Sequence, residues 1–150
     1  MALDSYGGRR SGFGQVERGN AVSVEHRLPH TELAPHMARR LARDYVSGRL
    51  MPEQADDFIF MACEIVSNAV RYGEPEEDGR IGLRLEAEGP VVRAVVSDAG
   101  PMFGYSEKIA TSGESHLGLF LVGRLADRWG SELDGRKAVW FEMDSGARTG

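Results

Sequence analysis

The stretch Glu64-Ile65-Val66-Ser67-Asn68-Ala69-Val70-Arg71-Tyr72-Gly73 decides the interpretation of this chain, because it closes a helix pattern that is apolar on almost every side. Pro52 and the acids after it predict where that helix begins, and Gly73 predicts its end. The polar exceptions lie on one narrow line, which consists of Asp57, Glu64, Asn68 and Arg71. A polar line on an otherwise buried helix indicates a functional site, and a hydrogen-bonded surface pair is the plainer alternative.

Glu64 and Asn68 carry the chemistry of that line. They are one helical turn apart and therefore face the same way. An amide oxygen suits Mg²⁺, which prefers oxygen ligands and is usually held by few protein groups together with phosphates. A carboxylate one turn away can accept a proton from an attacking hydroxyl or orient a water.

A second stretch, Val95-Val96-Ser97-Asp98-Ala99-Gly100, closes a strand pattern with a carboxylate. Alternation places Asp98 on the same face as Val92, Ala94 and Val96, so the carboxylate should be at least half buried. A buried carboxylate accepts hydrogen bonds only and needs donors. The exocyclic amine of adenine is such a donor, and Gly100 leaves room for a flat ring beside the backbone. An aspartate that merely caps a turn is the alternative.

A third segment, 112–122, places glycine before a helix that we predict over 117–127. Backbone N–H groups at such a helix start are open to a phosphate, and the helix dipole favours negative charge. His116 could donate to the same phosphate, although a partly exposed loop histidine is the simpler interpretation. An ordinary serine cap, with Gly118 packed against a neighbour, is the alternative for the segment as a whole.

The remaining patterns predict a single α/β domain. Alternation predicts a strand over 22–28, and Thr31 should cap a helix that has Pro35 in its first turn and stops near Gly48. Two alternating runs, 80–87 and 91–98, form a hairpin around Gly89-Pro90. We predict a functional loop over 102–115 and two closing strands around Asp134-Gly135. The expected organisation is a disordered tail over 1–20, the domain over 21–145 and a flexible tail over 146–150.

Composition excludes several classes of protein. The formal net charge of -5 is unlike that of a nucleic-acid-binding surface, so we expect no nucleic-acid partner. No apolar run has the length of a membrane span, so we expect no membrane partner either. A lone Cys63 forms no internal disulfide and favours a cytoplasmic location. The histidines and Cys63 lack the spacing of a metal-ligand cluster.

Taken in this order and spacing, the three segments resemble the motifs of the GHKL superfamily, which includes gyrase, MutL and histidine kinases. Within it, the chain is most similar to the single-domain anti-sigma factor serine kinases. The run 64–73 resembles their N-box, 95–100 their G1 box and 117–122 their G2 box. The run 137–141 resembles their closing strand and 35–43 their first helix, so the resemblance covers about residues 22 to 143.

The resemblance implies a Bergerat-type fold, an α/β (α+β) two-layer sandwich in which helices cover one face of a mixed sheet. It implies ATP and Mg²⁺ as cofactors, with Asn68 as the metal ligand and Glu64 as the general base. Asp98 would bind the adenine amine, with Gly100 beside the ring. The segment 102–116, with Lys108 and His116, would form a lid over the phosphates, to which Gly118 and Leu119 would present backbone donors. The implied partners are a sigma factor and an anti-sigma factor antagonist, and a homodimer is expected.

Two functions therefore remain open. The first is a regulatory kinase that phosphorylates a Ser or Thr of a small antagonist protein in a partner-switching circuit. The second is a nucleotide-binding module that acts through its partners without transferring phosphate. His116 stands where the G2 box usually has glycine, and the lid contains Lys108 but no arginine, which favours the second. The catalytic half of a histidine kinase and a structural domain without nucleotide rank below both.

Overall fold

The computed structural model describes residues 22–100, 116–133 and 137–148, and within these ranges it contains five strands and three α-helices. The strands are β1 (Val22–Pro29), β2 (Arg80–Glu88), β3 (Val91–Asp98), β4 (Arg128–Leu133) and β5 (Lys137–Asp144). The helices are α1 (Ala34–Val46), α2 (Pro52–Tyr72) and α3 (His116–Leu125), and a short 3-10 helix, Ser145–Arg148, follows β5. The predicted N-terminal tail, the lid residues 102–115 and the Asp134-Gly135 turn lie outside the described residues.

The start of α1 differs from the sequence prediction. Leu33 occupies the cap position and makes no side-chain hydrogen bond there, whereas Pro35 lies in the first turn as predicted. The Thr31 hydroxyl accepts a hydrogen bond from the Leu33 N–H at 3.1 Å, and its carbonyl accepts one from the Ala34 N–H at 3.0 Å. Thr31 therefore shapes the turn before the helix, because its side chain bonds locally two residues onward instead of reaching the first helical turn.

Helix α2 has the predicted limits, with Pro52 as its first residue and Gly73 as its C-cap. Its N-terminus is fixed by Gln54, which is buried and forms two hydrogen bonds through its side-chain amide. Gln54 Oε1 accepts from the Met51 N–H, and Nε2 donates to the Asp144 carbonyl, each at 3.3 Å. The helix is thereby joined at its first turn to the end of β5.

The sheet has the strand order β1-β2-β3-β5-β4, and every neighbouring pair is antiparallel. The two-layer α/β architecture is confirmed, but the expected mixed sheet is wrong. Strand β4 runs parallel to β3, but β5 folds back and occupies the position between them. The parallel strands are thus never hydrogen-bonded neighbours.

The core lies between one face of the sheet and the helices. Alternate residues of β2, β3 and β5 face the helices and are buried, namely Ile81, Leu83, Leu85, Val92, Ala94, Val96, Val139, Phe141 and Met143. Phe58 of α2 meets Phe141 edge-on, with ring centroids 4.8 Å apart. Two buried charged residues, Asp98 of β3 and Lys137 of β5, occupy positions on this same face at one end of the sheet.

The opposite face of the sheet carries charged side chains over a small apolar cluster. Glu142 of β5 forms ion pairs with Arg93 of β3 and Arg128 of β4. The guanidinium of Arg93 lies 5.9 Å from the centroid of the Trp140 ring, which is buried together with Val95. These ion pairs connect three adjacent strands across their hydrogen-bonded ladders. Among the described helices, none has the length and apolarity to cross a membrane.

Candidate functional site

The end of β3 presents one buried carboxylate. Asp98 is 2% exposed, as its alternation with apolar residues predicts. Its Oδ1 accepts hydrogen bonds from the Gly100 N–H at 2.7 Å and the Glu74 N–H at 3.3 Å. The same oxygen lies 3.0 Å from Lys137 Nζ. The donors that the described residues supply thus converge on Oδ1, which leaves Oδ2 to accept from a ligand.

Two glycines form the wall against this carboxylate. A Cβ atom at Gly73 would lie 2.5 Å from both Cγ and Oδ2 of Asp98, which is closer than real Cβ contacts allow. A Cβ atom at Gly100 would lie 3.1 Å from Oδ1 and 3.3 Å from the Cα of Gly73. The Ala99 N–H donates to the Glu74 carbonyl at 2.8 Å and holds the two glycine segments together. Bare backbone therefore flanks the carboxylate, as a flat ligand would require.

The members of the polar line on α2 differ in burial, and Asn68, the most deeply buried of them, lies near this wall. Asp57 and Glu64 are half-buried, and Asn68 is 1% exposed. Asn68 precedes Gly73 by five residues, about 7.5 Å along the helix axis. Arg71 lies on the exposed side. Asn68 and the Asp98 carboxylate therefore belong to the same end of the molecule.

Asn68 has an unsatisfied group. Its Nδ2 is buried and has no hydrogen-bond partner among the described residues. Buried polar atoms are nearly always paired, and an orphaned one needs an explanation such as a bound ion, water or ligand. Rotation of the amide exchanges its oxygen and nitrogen, so the same side chain can present an acceptor to a cation. This group therefore fits a ligand beside α2.

A metal would find few protein ligands here. Within 22–100, 116–133 and 137–148, no three His, Cys, Asp or Glu side chains are grouped closely enough to hold an ion. A Mg²⁺ ion suits this arrangement only if a ligand's phosphate oxygens and water complete its coordination. The described residues thus fit a metal that arrives together with a phosphate-bearing ligand.

The predicted phosphate-binding segment begins a helix, as expected. His116 is the first residue of α3, and Gly118 and Leu119 lie in its first turn. The first four N–H groups of a helix have no partner within it, so these positions can donate to an anion. Val122 on the next turn is fully buried and packs α3 into the core. Lys108 lies outside the described residues.

Sequence reasoning missed Lys137 as a site residue. It lies directly opposite Asp98 in the ladder between β3 and β5. The signal was present, because Lys137 alternates with Val139, Phe141 and Met143 and so belongs to the buried face of a strand. The sequence did not show that β5 pairs with β3, and it is this pairing that places the Asp98 carboxylate beside the Lys137 ammonium group.

The comparisons with known proteins agree with this geometry. The family model of the histidine kinase-like ATPase domain matches residues 26–142. Among solved structures, a chain in the crystal structure of the SiaB-SiaC complex from Pseudomonas aeruginosa is similar, with a TM-score of 0.60 and 15% sequence identity. The match covers 95% of this chain and 97% of that chain, and it supports the fold. No curated protein matches the chain.

Proposed function

We propose, from the premise that this chain belongs to the histidine kinase-like ATPase domain family, that it binds ATP with Mg²⁺ between α2, the end of β3 and the start of α3. The observation that carries the proposal is the buried Asp98 carboxylate, whose Oδ2 lies against Gly73 and receives no donor from the described residues. The amine of adenine would supply that donor. Asn68 would contribute its amide oxygen to the metal, which would neutralise charge on the phosphates.

We further propose that the chain transfers the γ-phosphoryl group to a Ser or Thr of a small antagonist protein. Glu64, half-buried and one turn before Asn68, would accept the hydroxyl proton. The hydroxyl oxygen would then bond to the γ-phosphorus while the bond to the ADP oxygen breaks. The first-turn amides of α3 would hold phosphate oxygens. A protein partner is supported by the similar chain, which was crystallised within a SiaB-SiaC complex.

The second candidate is a module that binds nucleotide and partners without transfer. The observation in its favour is that α3 begins with His116, at the position where the G2 box that the sequence resembles usually has glycine. In that case a sigma factor or its antagonist would be regulated by binding alone. Both candidates would act in the reducing cytoplasm, where a lone buried Cys63 stays reduced.

A binding experiment tests the nucleotide site. ATP is titrated calorimetrically, with and without Mg²⁺, into the wild type and the variants Asp98→Asn and Asn68→Ala. We expect Asp98→Asn to weaken ATP by roughly 10- to 100-fold, because one charge-assisted hydrogen bond is lost. Asn68→Ala should abolish the effect of Mg²⁺ but retain metal-free binding. Asp57→Asn, on the same polar line, is the control and should match the wild type. A wild type without saturable ATP binding would refute both candidates.

A transfer experiment separates the two candidates. Labelled ATP is incubated with the chain and with proteins that co-purify with it from the native cell. The kinase predicts label on a Ser or Thr of a partner, loss of that label in Glu64→Gln, and unchanged ATP affinity in the same variant. The control Asp57→Asn should transfer normally. Saturable ATP binding without any labelled partner would instead support the binding module.

A further inference from the structure

The loop that follows Gly73 is bound by an arginine of the edge strand β1. Arg27 donates from Nε to Asp78 Oδ2 at 2.9 Å and from Nη2 to Asp78 Oδ1 at 2.8 Å. Nη2 also donates to Glu76 Oε1 at 2.8 Å. A guanidinium that engages both oxygens of one carboxylate fixes its orientation as well as its distance. The loop between α2 and β2 is therefore held by three charge-assisted hydrogen bonds from β1.

The sheet makes room for this guanidinium. Arg27 lies opposite Gly82 of β2, and Gly82 lies opposite Ser97 of β3. A Cβ atom at Gly82 would lie 2.8 Å from Arg27 Nη1 and 2.6 Å from Ser97 Oγ. A side chain at this position would force the guanidinium or the serine to move. The bare backbone of β2 therefore allows the guanidinium to lie over the sheet, close to the residue that precedes Asp98.

The other end of the same loop lies against the Asp98 carboxylate. The Glu74 N–H donates to Asp98 Oδ1 at 3.3 Å, and the Glu74 carbonyl accepts from the Ala99 N–H at 2.8 Å. Two residues later, the Glu76 side chain is 10% exposed and accepts the hydrogen bond from Arg27. The contacts with Asp98 and the contacts with Arg27 are thus separated by a single residue of the loop.

Stability alone explains this arrangement poorly. Ion pairs between exposed side chains contribute little to the free energy of unfolding, and the side chains of Arg27 and Asp78 are 32% and 46% exposed. Their hydrogen bond raises the pKa of Arg27 and lowers that of Asp78 to about 2, so both groups are charged at neutral pH. The forked contact supplies geometry instead, because a ligand-binding side chain must be held to within about 0.5 Å by the groups that support it.

We propose that Arg27 is a positioning residue for adenine recognition, which acts through the loop 74–78 on the Asp98 carboxylate. The proposal rests on the proposed function, since it concerns the same site. Arg27 holds the loop, the Glu74 N–H keeps Oδ1 of Asp98 engaged, and Oδ2 stays available to the adenine amine. Without Arg27 the loop has fewer contacts, and the carboxylate is less firmly oriented. Arg27 itself does not touch the nucleotide.

The test compares the affinities of ATP and ITP for the full chain by calorimetry. The base of ITP carries a carbonyl oxygen where adenine has its amine, so it cannot donate to Asp98 there. We expect the wild type to prefer ATP roughly 10- to 100-fold, as for one hydrogen bond to a charged group. Arg27→Met should reduce that preference roughly 3- to 10-fold, as for one weakened hydrogen bond. Arg27→Lys should restore only part of it, because an ammonium group lacks the planar fork.

Two further variants complete the experiment. Arg128→Met is the matched control, because it removes another arginine–glutamate ion pair from the same sheet, at the end remote from Asp98. It should keep the ATP preference of the wild type. Asp78→Asn removes the charge that Arg27 engages and should also reduce the preference. The double variant of Arg27→Met and Asp78→Asn should be no worse than Arg27→Met alone, since the two residues act as one unit.

The outcomes separate this proposal from the one on which it rests. No ATP binding by the wild type, or equal affinities for ATP and ITP, refutes adenine recognition by Asp98, and the role of Arg27 falls with it. An unchanged ATP preference in a folded Arg27→Met refutes the role of Arg27 alone. An equal loss of affinity for ATP and ITP refutes it too, because that loss would indicate a phosphate contact or less folded protein. If Arg27→Met does not fold, full ATP preference in both Arg27→Lys and Asp78→Asn refutes the proposal.

Discussion

At Gly73 the backbone approaches a carboxylate so closely that no side chain fits. A Cβ atom there would meet Asp98 at 2.5 Å and the Ala69 carbonyl oxygen at 2.7 Å. The sequence predicts Gly73 as a helix end, and that is confirmed. Its contact with Asp98 was not predictable, because it depends on how the end of α2 meets the end of β3. The burial of Asp98 was predictable from alternation along β3 alone.

The variant Gly73→Ala should therefore damage both stability and the site. We expect the free energy of unfolding in urea to fall by about 1–3 kcal/mol, because the added methyl group forces backbone or Asp98 to move. ATP affinity should fall as well. Gly146→Ala is the control, since its nearest neighbour, Asp144 Oδ1, would lie at an ordinary 3.4 Å. Equal unfolding midpoints for Gly73→Ala and Gly146→Ala would contradict the close approach.

At the scale of elements, local signals predicted most element limits and one hairpin but not the position of β5 in the sheet. Pro52 and Gly73 gave α2 correctly, and alternation gave β2 and β3 as a hairpin. Thr31 failed as a cap because its hydroxyl bonds to the nearer Leu33 N–H. The mixed sheet was expected from the family resemblance, and no local pattern could correct it by showing that β5 enters between β3 and β4. Lys137 was missed as a site residue for the same reason.

The attachment of α2 to β5 through Gln54 gives a prediction at this scale. Gln54→Ala removes a buried side chain and its two part-buried hydrogen bonds, to the Met51 N–H and the Asp144 carbonyl. We expect the free energy of unfolding to fall by about 1–3 kcal/mol, because two hydrogen bonds are lost at about 0.5–1.5 kcal/mol each. Asp56→Ala, exposed on the same helix, should change it by less than about 0.5 kcal/mol. If both variants unfold at the same urea concentration, Gln54 does not hold the helix.

At the scale of the whole molecule, the outer face of the sheet links stability to pH. Burial raises the pKa of Glu86 from 4.5 to about 7, although Arg93 of β3 and Arg84 of the same strand oppose the rise. Glu88 and Glu142 act in the same direction as burial. Between these two pH values the folded chain holds more protons than the unfolded chain. The free energy of unfolding must therefore decrease as the pH rises from about 4.5 to about 7.

Glu86→Gln tests this linkage. In this variant the free energy of unfolding should not decrease between pH 4.5 and 7. The variant should therefore be as stable as the wild type near pH 5 and more stable than the wild type near pH 8. Urea unfolding at several pH values above 5 measures the difference in stability between the variant and the wild type. This range excludes the titration of Asp78, because its hydrogen bond with Arg27 lowers the pKa of Asp78 to about 2. Glu77→Gln, in an exposed turn, should follow the wild type throughout. Parallel curves for all three proteins would contradict a raised pKa at Glu86.

The interior position of β5 also has a consequence for synthesis. The ribosome delivers β5 after the other four strands, yet β5 fills the gap between two of them. A nascent chain that ends before residue 137 can assemble β1, β2 and β3, but β3 then exposes an open edge that invites pairing with another chain. Its Asp98 also has no lysine opposite. The sheet around Asp98 would therefore be completed only after residues 137–144 have been synthesised.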